Sequence, residues 1–331
     1  SSGRSTRRSL TCKCPTRPTD SVHLSSVSVP RFGPVLCVVG TGGELFAVGT
    51  ETQRFAEVAQ LLSAVPTATS LESAIDMVGT VPAPLGLWQE VELTQAGPGQ
   101  LHLLPPIRPT EVWAAGVTYE RSLSARVEES HEPDIYERVY RSARPELFFK
   151  ATGPRLVGPN GLVGLRSDSR WQVPEPELAI VIGPKTSILG YTLANDMSSR
   201  DIEGENPLYL PQAKIYAGSC AIGPVVVSAQ EIDDPYALTL SMRIVRREAT
   251  VFQGRTSTAR LHVKLDELVS HLRHDNWVGP ATVLLTGTGV VPEQGFTLEV
   301  ADDIEITCPS IGTLRCRCAA AGELPIPPGW S

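Results

Sequence analysis

The sequence predicts a β-rich α+β fold, and three observations carry that prediction. Short apolar or alternating runs bounded by Gly, Pro, Asn and Ser recur along the chain, the pattern of strands joined by turns. Stretches with apolar residues at helical spacing are few and short. The strand-like runs do not alternate regularly with helical ones, which favours antiparallel or mixed sheets over a doubly wound parallel sheet.

Length and charge set the bounds. The 331 residues suffice for one large domain and a smaller one, with roughly three quarters of the chain's surface buried on folding. A net charge of −7 with no dense basic patch argues against a nucleic-acid partner. No apolar run reaches the length of a membrane span. The seven cysteines are odd in number and scattered. Cys12-Lys13-Cys14 and Cys316-Arg317-Cys318 each have a single intervening residue, so neither a disulfide framework nor a zinc site is indicated. Reduced thiols in a cytoplasmic protein are expected.

Residues 1–29 are rich in Ser, Thr, Arg and Pro, with Asp20 the only acid. They read as a flexible leader outside the fold, though the same composition is compatible with a transit peptide. Beyond them, runs at 35–39 and 44–48 flank Gly40-Thr41-Gly42-Gly43 and predict a hairpin. That turn lacks the Lys and the following helix of a phosphate loop. Residues 55–65 have helical spacing, and Thr69 with Glu72 predicts a capping box opening a helix through Val78. Residues 82–109 are rich in Pro and Gly and read as a linker. A domain boundary near Ile107 therefore divides a small α+β domain, 30–107, from a larger one, 108–331.

The larger part begins with a buried strand at 112–117. A strongly charged stretch, 120–141, reads as helix or mobile lid, and another strand follows at 147–150. Further on, 225–227 is strand-like, and Leu238, Leu240, Met242 and Ile244 alternate with polar residues as in a half-buried strand. Leu261, Leu265, Leu268, Val269 and Leu272 have helical spacing. A strand at 282–286 runs into Gly287-Thr288-Gly289, and 298–306 and 313–318 read as closing strands.

The stretch 171–214 organises the rest. Glu175 and Glu177 lead directly into the apolar run 178–182, so in a strand both project from one face. Residues 183–187 signal a turn, and a second apolar run ends at Asn195-Asp196. Paired as a hairpin, with Gly183 facing Ile188, the two strands set Glu175 opposite Asp196. Cross-strand partners have Cβ atoms about 5 Å apart, so three carboxylates converge. Like charges that close call for a cation, and an all-oxygen set favours Mg²⁺, Mn²⁺ or Ca²⁺ over zinc; from spacing alone, a solvated polar strand end reads equally well.

The motifs PEPELAIVIG, GYTLANDMSSRDIEGENPLYLPQAKIYAGSCAIGP, TGTG and DDIEI…IGTL stand in an order that resembles the C-terminal domain of the fumarylacetoacetate hydrolase family. The resemblance runs over about 108–319. It implies a mixed β-roll or sandwich, a divalent metal, usually Mg²⁺, held by Glu175, Glu177 and Asp196, and a homodimer or higher homo-oligomer. Within the family, Ala115-Gly116-Val117-Thr118-Tyr119, PELFFK at 145–150, Arg166-Ser167-Asp168-Ser169 and Glu205-Asn206-Pro207-Leu208-Tyr209-Leu210-Pro211-Gln212 resemble dehydratases of 2-keto-3-deoxy sugar acids. The resemblance assigns acid–base work to the pair Glu146 and Lys214, without deciding which is which.

Substrate contacts are expected from Ser199, Arg200 and Thr288, and from Arg121 and Ser122 on the charged stretch. Arg200 pairing with Asp201 or Glu203 reads equally well. Cys220 and Lys150 are candidates to line the site, but read first as a packed thiol and a solvated amine. One departure is informative. Hydrolases of the family often place His and Glu three and six residues beyond an Asn-Tyr, where this chain has Ser122 and Ala125. Neither takes a proton from water at neutral pH, which favours elimination over hydrolysis. The rivals are a C–C hydrolase of acylpyruvates or diketo acids and a non-catalytic small-molecule binder.

Overall fold

The computed structural model describes residues 17–97, 99–129, 133–184, 187–327 and 329–330. The fold is β-rich α+β and is built on two sheets. The larger runs Leu45–Ala47, Gly33–Val39, His23–Val29, Cys220–Ser228, Ile188–Asp196, Pro176–Ile182, Val283–Thr288, Val112–Gly116, Glu146–Ala151, with two short strands attached at its flank. The smaller runs Ala249–Ser257, Thr239–Arg246, Asp303–Cys308, Gly312–Ala320, Gly161–Leu165. Most neighbours are antiparallel. Val283–Thr288 with Val112–Gly116, and Gly312–Ala320 with Gly161–Leu165, are parallel.

The central strand Pro176–Ile182 is buried along its whole length, and its two faces serve two cores. Leu178, Ile180 and Ile182 pack with Met242, Ile304 and Leu314 of the smaller sheet. Ala179 and Val181 pack with Leu61, Leu71 and Ile75 from helices Val58–Ala64 and Leu71–Val78. A strand covered on both faces reads as a continuous apolar run, as 178–182 does.

Several expectations change. His23–Val29 is not a leader: it pairs with Gly33–Val39, His102–Leu104 and Cys220–Ser228. Val22, Leu24 and Val27 are fully buried, and Ser25 and Ser26 donate to the carbonyls of Pro224 and Pro106. Buried hydroxyls with such partners are tolerated inside a sheet. The leader expected over 1–16 lies outside the described residues. The sheet and one hydrophobic cluster also run straight across the boundary drawn near Ile107.

Smaller differences concern element ends. The linker 82–109 contains the helix Trp88–Val91 and the strand His102–Leu104. Helix Leu71–Val78 is capped by Ser70, in a reciprocal box with Ser73, not by Thr69 with Glu72. The closing strand begins at Asp303, because Asp302 is fully buried and held by two bonds from Arg246 while its backbone turns. The charged stretch forms helices Glu120–Glu129 and Pro133–Arg141. Tyr140 of the second stacks on His262, ring centroids 4.4 Å apart. Among the described residues no helix is long and apolar enough to cross a membrane.

Candidate active site and metal centre

Strands Pro176–Ile182 and Ile188–Asp196 pair with Pro176 opposite Asn195 and Val181 opposite Gly190. The Asp196 amide donates to the Glu175 carbonyl at 2.9 Å. Glu175 and Asp196 therefore face each other at the end of the ladder, the register that counting back from the turn expects. Only beside the turn does it slip by one, with Ile182 opposite Ile188. Carboxylate oxygens of Glu175, Glu177 and Asp196 all lie within 4.8 Å of one another, and all three residues are buried.

Three cations crowd this cluster. Lys214, ending helix Leu210–Lys214, donates to Glu175 at 2.7 Å and to Asp196 at 3.2 Å. Arg200 donates to Glu175 Oε1 at 2.8 Å. Lys150 Nζ sits 2.5 Å from Asp196 Oδ1 and donates to the carbonyls of Met197 and Lys214. Glu177 takes the Gly287 amide at 2.5 Å. Burial, then Asp196 and Glu175, push the Glu177 carboxyl well above the usual carboxylate range. The opposing pull of Lys214 and the Gly287 amide is weaker.

The donor set fits a hard divalent cation. It is all oxygen, and burial with two neighbouring carboxylates disfavours the ionised form of Glu177, a penalty that a cation would offset. Asp196 Oδ1 is buried with charge beside it but without an aligned hydrogen bond. Five acidic side chains meet here, the trio with Glu146 and Glu203, against the basic Lys150, Arg200 and Lys214. The excess of two negative charges is what one divalent ion balances.

A cleft opens onto the trio, lined also by Ala115, Val117, Ser122, Glu146, Phe148, Arg200, Glu203, Lys214, Gly287 and Thr288. Glu146 enters it from the first position of strand Glu146–Ala151, opposite Gly116. Its carboxylate occupies the space that a Cβ at residue 116 would fill, so glycine there admits it. Period two puts Phe148 and Lys150 on the same side of the strand. The Phe148 ring lies under the Lys214 ammonium, 5.7 Å away, and Lys150 reaches Asp196.

Lys150 is thus not the solvated amine expected from sequence. It is fully buried, since three oxygens receive its charge. Cys220 is a packed thiol, pushed up to about 12 by burial. Arg200 bonds Glu175. Ser122 lines the cleft but spends its hydroxyl on Tyr119, accepting from its amide and donating to its carbonyl. The Thr288 hydroxyl donates to the Pro176 carbonyl and accepts from the Val290 amide. Ser199 is buried outside the lining, opposite Gln172. Arg121 is half-buried, one residue outside it.

Sequence reading missed three participants. Glu203 lines the cleft and accepts from Ser198 at 2.9 Å; its place three residues past Arg200 on a short helix was the available signal. Gly116 and Gly287 act through their lack of a side chain. Gly287 has φ +90, and a Cβ there would meet Thr118 Oγ1. No His appears among the described lining residues.

The model for the fumarylacetoacetate (FAA) hydrolase C-terminal domain matches residues 111–319, and the chain belongs to that family. Over 213 residues it is 51% identical to a probable 2-keto-3-deoxyxylonate dehydratase of Haloferax volcanii, covering 64% of this chain and 73% of the relative. Over 218 residues it is 46% identical to the 2-dehydro-3-deoxy-D-arabinonate dehydratase of Saccharolobus solfataricus, covering 65% and 73%. Among solved structures, a 2-keto-3-deoxy-D-arabinonate dehydratase complexed with magnesium and 2,5-dioxopentanoate superposes with a TM-score of 0.77. It is 35% identical, over 90% of this chain and 99% of that one.

Proposed function

We propose that this chain is a Mg²⁺-dependent hydro-lyase that dehydrates a 2-keto-3-deoxy sugar acid to an oxo acid semialdehyde. One observation carries the reading: a buried oxygen-only trio shares its cleft with two more carboxylates, Glu146 and Glu203, and one ammonium, Lys214. The names of the two relatives and of the superposed structure support it.

Glu175, Glu177 and Asp196 would hold the ion; Mn²⁺ or Ca²⁺ would satisfy the same ligands. When bound, it supplies Lewis acidity at the 2-keto oxygen and offsets the negative charge that develops as C3 loses its proton. Glu146, outside the trio, takes that proton. Lys214, which enters as a donor to two carboxylates, protonates the C4 hydroxyl as its C–O bond breaks. One water leaves, and tautomerisation places an aldehyde at the far end of a five-carbon chain. A base and an acid in different protonation states are what elimination needs. Arg200 orients Glu175, and Thr288 and Ser122 complete the wall; Ser199 and Arg121 act from outside it.

Ser122 and Ala125 stand where hydrolases of the family keep a water-activating pair, and Ala125 is buried and apolar. This disfavours the C–C hydrolase reading. A non-catalytic binder would hold substrate without turnover. The test is incubation with 2-keto-3-deoxy acids and with acylpyruvates, each with Mg²⁺, read by mass spectrometry. Loss of one water from the former is expected. Cleavage of the latter alone, or turnover undiminished by excess chelator, overturns the proposal. The same reading expects a cytoplasmic homodimer, which light scattering of the purified protein checks for stoichiometry.

A further inference from the structure

Val117 adopts φ +51. Among the described residues it is the one β-branched residue with positive φ, and a β-branched side chain there crowds its own backbone. Neighbours on both sides hold it. Gly116 pairs with Glu146 in the sheet. The Thr118 hydroxyl donates to the Thr286 carbonyl at 2.6 Å, and the Thr118 carbonyl accepts from the His262 amide at 2.8 Å. A conformation this unfavourable persists only where its surroundings impose it, and such residues concentrate at functional sites.

Core packing does not account for it. Val117 is only 6% exposed, yet it belongs to none of the three hydrophobic clusters. Val117 is one of the apolar residues that line the cleft, with Ala115 and Phe148. On the dehydratase reading, the carboxylate and keto oxygen of a 2-keto acid would sit at the acidic trio. The apolar lining therefore meets the carbon chain beyond the reacting centre.

We infer that Val117 is a specificity-determining wall of the cleft, held against its own backbone preference so that its isopropyl group limits the length of 2-keto-3-deoxy acid that fits. The inference rests on the dehydratase reading above. Removing methyl groups from such a wall relaxes discrimination against one extra carbon by about tenfold or more.

The experiment compares wild type, Val117→Ala and Val117→Gly, each with Mg²⁺, on five-carbon and six-carbon 2-keto-3-deoxy acids, with melting temperatures alongside. In both variants the ratio of kcat/KM for the five-carbon over the six-carbon acid should fall at least tenfold, mainly through KM. Alanine keeps the strained Cβ and glycine removes it, so Val117→Gly should melt above Val117→Ala. An unstrained site gives the reverse order, since glycine ordinarily destabilises relative to alanine. A ratio unchanged within twofold in both variants, or glycine melting below alanine, overturns the inference. Wild type that dehydrates neither acid overturns instead the reading of the function.

Discussion

Binding of Mg²⁺ to the metal-free protein should release protons, and the source is Glu177. Its side chain is 1% exposed, and burial with Asp196 and Glu175 nearby raises its carboxyl well above the usual range. A ligand must be ionised to bind a cation, so up to one proton leaves for each ion taken up. Between the ordinary Glu value of about 4.3 and the raised one, apparent affinity then climbs by as much as tenfold per pH unit, about 1.4 kcal/mol. Stability follows the same group with a definite sign. The folded value is raised, so the metal-free fold loses stability as pH climbs from the unfolded value through the folded one. Saturating Mg²⁺ removes that loss, and the gap in melting temperature with and without the ion widens with pH. Calorimetric titration at pH 6, 7 and 8, in buffers of different ionisation enthalpy, measures the protons directly. Glu177→Gln should show none. An affinity flat with pH and heats independent of buffer would refute the account.

Three further outcomes follow from the same geometry. Gly116→Ala drives a methyl into the Glu146 carboxylate; kcat should fall roughly a hundredfold with Mg²⁺ affinity unchanged, as steady-state kinetics and calorimetry together reveal. Lys150→Met strips the buried Asp196 of one counter-charge and should cost about 3–5 kcal/mol in urea unfolding of the metal-free protein, part of it recovered on adding Mg²⁺. Gly287→Ala forces a side chain to φ +90 against Thr118, which should cost about 1–3 kcal/mol and weaken Mg²⁺ binding by displacing the amide that meets Glu177.

What could be seen in the sequence and what could not divides along a physical line. The trio was legible because its geometry is local. Two apolar runs, a five-residue turn and a period of two place Glu175 across from Asp196 without reference to the rest of the chain, and a one-residue slip would have sent both glutamates to the opposite face. The slip that does occur lies at Ile182, on the turn side, where it leaves the ladder from Val181 to Glu175 undisturbed. His23–Val29 was not legible, because its serines look like those of a disordered segment until the carbonyls that satisfy them are supplied, 199 and 80 residues away. Lys150 fails for the same reason. A lysine after two phenylalanines reads as solvated, yet its partners stand at Asp196, Met197 and Lys214. Burying an ammonium is costly unless oxygens are waiting for it, and only the closed sheet brings them. The carboxylates in turn need those cations and the two further charges that a divalent ion would bring. The local motif sets where an ion would go, and residues distant in the chain set how tightly, and at what pH, it would be held.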